Sequence, residues 1–276
     1  IKPLKQIFLS CLMLFAIADL QAQVLRRPMA AAYTGLGAYS THHVDVFSIA
    51  ANQASLAQLQ QGAVGIYGER RFLQTELSNY TALAALLTRS GNFGLKANYA
   101  GFSDYHESQI GLAYARKLGT KIDIGAQFNY NGIQIAGYGN ATALSFELGA
   151  ILHLTDKLHS GIQINNPVGG KYGKNKDEKL SSLYTFGLGF DASEKLLVSA
   201  EVQKEEDQPV NVNTGVQYRF LPQFMARVGV ATATSSLWAG VGFKLKSFRI
   251  DITSGYHPQL GFTPGVLLLF QFNQKK

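Results

Sequence analysis

The sequence predicts an all-β fold: a transmembrane up-and-down antiparallel β-barrel of about fourteen strands, with a short, partly helical N-terminal hatch in its lumen. Three observations carry that prediction. Long stretches alternate apolar and polar residues with a period of two. Aromatic residues such as Phe128, Tyr130, Tyr218, Phe220 and Phe272 fall at the ends of the apolar rows, where interfacial girdles belong. The links between stretches are tight and long by turns, as they are when every second turn faces the periplasm.

The chain opens with Lys2 and Lys5, an apolar run from Ile7 to Ala18, and Ala22 before Gln23. That is the layout of a signal peptide over residues 1–22, since the run is about 12 residues and a membrane span needs about 20. Residues 23–276 then form a single domain, with 24–60 as the hatch and 61–273 as the barrel. Cys11 is the only cysteine, which leaves the mature chain without disulfides, thiolate metal sites or cysteine nucleophiles. The formal charge is +7. Export and the lack of a basic run interleaved with stacking aromatics argue against a nucleic-acid partner; basic surface suits an anionic lipid setting.

Residues 45–58, DVFSIAANQASLAQ, are small and apolar, carry no lysine or arginine, and lack the alternation that follows them. A segment of that kind in front of a barrel is expected in the lumen. Gly35 and Gly37 would supply tight bends, Asp45 or Ser48 would cap a short helix, and Asn52 would end it or bond to the wall.

Among the strands, VNVNTGVQYRF (210–220) places Val210, Val212, Thr214, Val216, Tyr218 and Phe220 on one face, and Asn211, Asn213, Gly215, Gln217 and Arg219 on the other. IDIGAQFNYN (122–131) divides in the same way. Stretches of about 9 to 12 residues are longer than ordinary soluble strands and suit a tilted crossing. The links at 89–92, 117–120, 154–157, 192–195, 220–223 and 244–247 are tight; those between them are longer or more polar, with 166–180 the largest. The polar faces carry Glu69, Arg71, Lys96, Asp123, Glu147, Glu201, Arg219, Arg227, Lys244, Arg249 and Asp251. Charges of both signs in a lumen suggest a paired internal network, because isolated buried charges are costly.

GLGAYSTHHVDVFSIAANQASLA (35–57) resembles the N-terminal hatch of the FadL-like outer-membrane proteins, including their PorV/PorQ-like branch associated with type IX secretion. The family's Asn-Pro-Ala-Gly-Leu-Ala corresponds here to Asn52-Gln53-Ala54-Ser55-Leu56-Ala57, with Gln53 in place of proline. The resemblance implies a barrel of the Gram-negative outer membrane plugged by its N-terminal segment. It offers two functions. A PorV-like barrel docks protein partners or exported cargo of a secretion complex, and the short outer loops incline the sequence toward this reading. A FadL-like barrel passes hydrophobic small molecules; that alternative expects an apolar pocket or a gap in the wall.

No cofactor or catalysis is expected. His42 and His43 point apart on a coil and have no second pair at ligand spacing, so no metal site is assigned. No G-x-S-x-G turn exposes a serine to partner His153, and lumen carboxylates such as Glu201 are expected in any barrel. NPVGGKYGK (166–174) lacks the spacing and the helix of a phosphate loop. A soluble exported β-sandwich, with the same charges on a solvated face, is the third reading.

Overall fold

Successive side chains of a strand point to opposite faces, so alternation becomes architecture once the sheet closes. The computed structural model describes residues 31–172, 178–232 and 236–272. The expected signal peptide and hatch residues 24–30 lie outside the described residues.

Seven strands make the first half of the wall: β1 (Gly62–Arg70), β2 (Ser78–Thr88), β3 (Gly91–Gly101), β4 (Tyr105–Leu118), β5 (Ile122–Ile135), β6 (Gly139–His153) and β7 (Leu158–Asn165). A small ribbon follows, β8 (Lys171–Tyr172) with β9 (Glu178–Lys179). The second half comprises β10 (Leu183–Asp191), β11 (Leu196–Glu205), β12 (Asn211–Arg219), β13 (Phe224–Ala231), β14 (Ser236–Leu245), β15 (Phe248–His257) and β16 (Gly261–Phe272). Apart from the ribbon, each strand pairs antiparallel with its neighbours, and β1 closes on β16 from Gly62↔Phe272 to Glu69↔Gly265. The result is a closed barrel of fourteen strands.

The apolar rows face outward. Ile66, Leu112, Val241 and Ile252 are each more than half exposed, whereas the intervening Asp123, Gln127, Asn129, Gln217 and Asp251 are buried. So broad an apolar band far exceeds what a soluble surface tolerates, and a closed barrel satisfies every backbone group in lipid. Aromatics meet near the tight-turn end, as in Phe224–Phe243 with centroids 4.9 Å apart and Phe248–Phe270 at 4.7 Å. Tight turns mark the periplasmic end of such barrels. This chain is therefore a Gram-negative outer-membrane protein, and the soluble sandwich is set aside.

Two expectations need correction. β4, β5 and β6 hold 14, 14 and 15 residues, so one side of the barrel stands taller than the rest. Several outer links are also shorter than their polarity suggested; β15 runs to His257 and β16 begins at Gly261, because the aromatic pair Tyr256–Phe262 extends the ladder. Above the level of β7, the upper part of β6 is covered by the segment between β7 and β10, where the Asn166 backbone N–H donates to the Phe146 carbonyl at 2.8 Å. Tyr172 and Leu180 of that segment bury Ile133 and Ala143.

Candidate functional site: the docked hatch

The hatch is built from short turns that no single helix propensity would sustain. Helix α1 (Ala31–Gly35) is followed by three 3₁₀ turns, Leu36–Tyr39, Val46–Ala50 and Gln53–Gln58. Asp45 caps the second, accepting from the Phe47 N–H at 2.8 Å while the Ser48 hydroxyl accepts from the Asp45 N–H at 3.1 Å. Asn52 both caps and anchors: its Oδ1 accepts from the Ala54 N–H at 3.0 Å, and its Nδ2 donates to the Ile162 carbonyl at 3.0 Å. Gln53, at the proline position of the FadL-like pattern, instead donates its side-chain amide to Glu147 of the wall.

Gly35 joins α1 to the first 3₁₀ turn and Gly37 lies within that turn, neither at positive φ. Gly35 has φ −88°, and both are close-approach positions: a Cβ at Gly35 would meet Ala51 Cβ at 2.5 Å, and one at Gly37 the His43 carbonyl oxygen at 2.2 Å. Ala54 and Leu56 are fully buried, with Leu56 in a cluster that joins hatch residues Tyr33, Phe47 and Ile49 to wall residues Tyr67, Leu83, Leu197 and Leu267.

The wall is hollowed to receive these side chains. A Cβ at Gly65 would meet Phe47, one at Gly94 Ile49 and Leu56, one at Gly125 the backbone of Ala54, and one at Gly149 Asn52. Tyr39 lies against Gly161, Gly187 and Gly189 on β7 and β10, and a Cβ at Gly189 would come 1.9 Å from the Tyr39 carbonyl oxygen. These glycines are the signal that the sequence carried and that alternation alone left unread.

Three polar joints fasten the hatch. In the first, Asp45 Oδ2 lies 2.8 Å from Arg249 Nη1 and 3.5 Å from Arg227 Nη2. Arg249 also pairs with Asp251 at 3.0 Å, and Asp251 accepts from the Tyr33 hydroxyl at 2.9 Å. Arg227 donates to the Tyr33 carbonyl at 3.1 Å and stands 4.8 Å from the centroid of its ring. Burial would raise the pKa of Asp45, but the Arg249 and Arg227 guanidiniums hold it below the usual carboxylate range. Arg227 further donates to Gln217 Oε1 at 2.7 Å, which leaves the Gln217 amide to face His43 Nδ1 at 2.6 Å. Burial, reinforced by the charge of Arg219, lowers the pKa of His43 to about 4.

In the second joint, Asp191 accepts from the Ser40 hydroxyl at 2.6 Å and the Thr41 N–H at 3.0 Å. In the third, Asn92 donates to the Leu56 carbonyl at 2.8 Å beside the Asn52 and Gln53 contacts. Glu147 is the hub of that side, accepting from Asn129 at 2.9 Å and pairing with Lys96 at 3.4 Å.

Of the remaining predicted lumen residues, Glu69 is buried and Asp123 pairs with His153 at 2.9 Å. Glu201 is buried and accepts from Gln203 at 3.0 Å. Arg219 is half-buried. Arg71 lies outside β1, in the turn Arg71–Leu73, and pairs with Glu69 at 3.3 Å. Lys244 is exposed at the periplasmic rim, because it sits one residue from the end of β14. Above the hatch, Asn98, Gln109, Asn131 and Ser145 form an amide belt across β3–β6, with links of 3.0, 2.9 and 3.0 Å. A cavity of about 10 Å³, lined by Leu36, Glu201, Asn213 and Trp238 among others, holds at most one water. No group of three or more metal-ligating residues stands among the described residues.

The geometry defines a class: an outer-membrane β-barrel closed from within by its own N-terminal hatch. No protein-family model matches the chain, and no curated protein matches its sequence. Solved structures do share the fold. The toluene transporter TodX of Pseudomonas putida superposes with a TM-score of 0.66 at 11% identity, covering 92% of this chain and 100% of that one. The toluene transporter TbuX of Ralstonia pickettii gives 0.60 at 12%, covering 84% and 94%. A Pseudomonas aeruginosa FadL homologue gives 0.58 at 10%, covering 90% and 98%.

Proposed function

We propose that the protein is a gated, FadL-like conduit for small hydrophobic molecules across the outer membrane, described here with its gate shut. This reverses the order of the two readings drawn from the sequence. The observation that carries it is the architecture shared with TodX and TbuX over most of each chain, both of them described as toluene transporters. Hatch residues Phe47, Ile49 and Leu56 share one buried apolar cluster with wall residues Tyr67, Leu83 and Leu267, so in this reading passage requires the hatch to leave its seat.

Uptake of a small aromatic hydrocarbon into proteoliposomes tests the reading. A variant with a loosened hatch, Arg249→Gln, should raise uptake severalfold over the intact barrel. Ion conductance that rises with no change in hydrocarbon uptake would overturn the conduit.

The filled lumen favours a second reading, a PorV-like barrel that docks secretion subunits or cargo on its outer face. Pull-down of the native barrel from solubilised membranes would recover such a partner; failure to do so, with hydrocarbon uptake present, would leave the conduit alone.

A further inference from the structure

The exposed charge of the barrel is divided unevenly between its two ends. At the periplasmic end, five of the six tight turns carry exposed cations. Arg89 follows β2, Lys157 lies between β6 and β7, Lys195 lies between β10 and β11, and Lys244 and Lys246 flank the end of β14. The β4–β5 turn adds Arg116, Lys117 and Lys121. Against these eight, the exposed acids of that end are Asp156 and Glu194 among the described residues. At the outer end, exposed Arg70, Lys171, Lys179 and Lys204 are matched by exposed Glu76, Asp104, Glu206 and Asp207. Lys179 pairs there with Glu206 at 2.7 Å, whereas none of the eight inner cations has an ion-pair partner among the described residues. The excess positive charge of the surface belongs to one rim.

The position of these cations in the wall decides what meets them. Arg116 stands on the lipid-facing row of β4, opposite Ile124 and four positions after Leu112, both exposed. A guanidinium does not rest in hydrocarbon, so its stem runs along the apolar row and its head reaches the lipid headgroups. A protein approaching from the periplasm would reach Arg116 only through lipid. Lys121 and Lys246 lie in turns bounded by exposed apolar residues, Leu118 with Ile122 and Leu245 with Phe248. Such turns sit where the apolar band ends, at headgroup depth. Lys117 and Lys244 belong to the lumen-facing rows, opposite Asp123 and Arg249, and add to the surface field, which acts over about 8 Å at physiological ionic strength. The cations are also spread around the rim, so a docking protein would meet one side of the ring and a lipid annulus meets all of it.

We propose that the tight-turn rim binds the net-negative headgroups of anionic phospholipids in the inner leaflet of the outer membrane, with Arg116 and Lys246 placed to meet them directly. Each Lys or Arg near an anionic surface strengthens association about fivefold before screening. The charge-balanced outer rim has no such preference. The inference concerns the exterior of the inner end and holds whether the barrel passes small molecules or docks proteins.

Electron spin resonance tests it, because spin-labelled lipid at the protein surface is distinguished from bulk lipid. Labelled phosphatidylglycerol and phosphatidylcholine are compared on the full barrel in phosphatidylcholine vesicles. At about 10 mM salt, where the screening length is about 30 Å, phosphatidylglycerol should associate about threefold more strongly, falling toward parity at about 1 M salt. Arg116→Gln with Lys117→Gln and Lys121→Gln should remove about half of the preference. Lys244→Gln with Lys246→Asn, across the barrel, gives an independent loss, asparagine being suited to the left-handed backbone at φ +53°. Arg70→Gln with Lys204→Gln at the outer end should change nothing. Equal association of the two lipids with the wild-type barrel at low salt would overturn the proposal, as would a preference untouched by both inner-rim variants or lost equally in the outer-rim one. Absence of lipid preference together with binding of polyglutamate to the detergent-solubilised barrel would assign the rim to an acidic protein instead.

Discussion

At the scale of single residues, the hatch is held by a few desolvated charges whose partners are fixed. Removing one member of a buried pair strands the other, at a cost of about 3–5 kcal/mol. Arg249→Gln leaves Asp45 only the longer Arg227 ion pair at 3.5 Å and Asp251 only the Tyr33 hydroxyl, so its expected effect is a hatch cleaved by added protease while the barrel stays intact on a gel. His43 adds a pH dependence of known sign. Its pKa in the docked state is about 4 against an ordinary 6.5, so the docked form prefers the neutral ring. The contribution of His43 is complete above pH 6.5 and is lost as pH falls from there toward 4. Protease protection of the hatch should drop over that window, and His43→Asn should flatten the drop. Asp45 and Asn52 were legible as caps because capping is local chemistry. The Asp45–Arg249 and Asp191–Ser40 partnerships were not, since they join residues about 150 or more positions apart and alternation specifies a face without specifying a neighbour.

At the scale of elements, strand existence and facing could be read from the period of two, and the six tight turns fell where their glycines, prolines and charges placed them. Gly119, with φ +72° in the turn after β4, needs the left-handed region that glycine reaches without strain. The lengths of β4–β6 could not be read in this way, because polar residues such as Tyr105–Glu107 belong to the ladder although they resemble loop. The wall glycines were likewise visible only as members of a polar face, and their use appears once the hatch is seated. Gly189→Val places a side chain against the Tyr39 backbone, which cannot yield, and such overpacking costs about 1–3 kcal/mol. The hatch should be displaced while β10 keeps its pairing. Circular dichroism unchanged, together with new protease sensitivity confined to the N-terminal segment, is the expected result; an unfolded barrel would show that the wall depends on its plug.

At the scale of the whole molecule, the apolar exterior and filled interior make separate predictions. Val241 lies near the middle of β14 on the lipid face, so Val241→Arg should destabilise insertion by about 2–4 kcal/mol, measured by reversible folding into vesicles. Deletion of residues 31–58 should leave a folded barrel with large conductance in planar bilayers, and conductance equal to that of the intact protein would refute the plug.

The shelf beneath Tyr39 carries one further consequence. Gly161 and Gly187 withdraw two side chains from beneath the Tyr39 ring, and Gly189 a third from beneath the Tyr39 carbonyl and Cβ. Were the N-terminal segment to leave its seat, as the proposed conduit requires, the ring would vacate a recess about its own size. Under that proposal, a guest that fitted the recess would oppose the return of Tyr39.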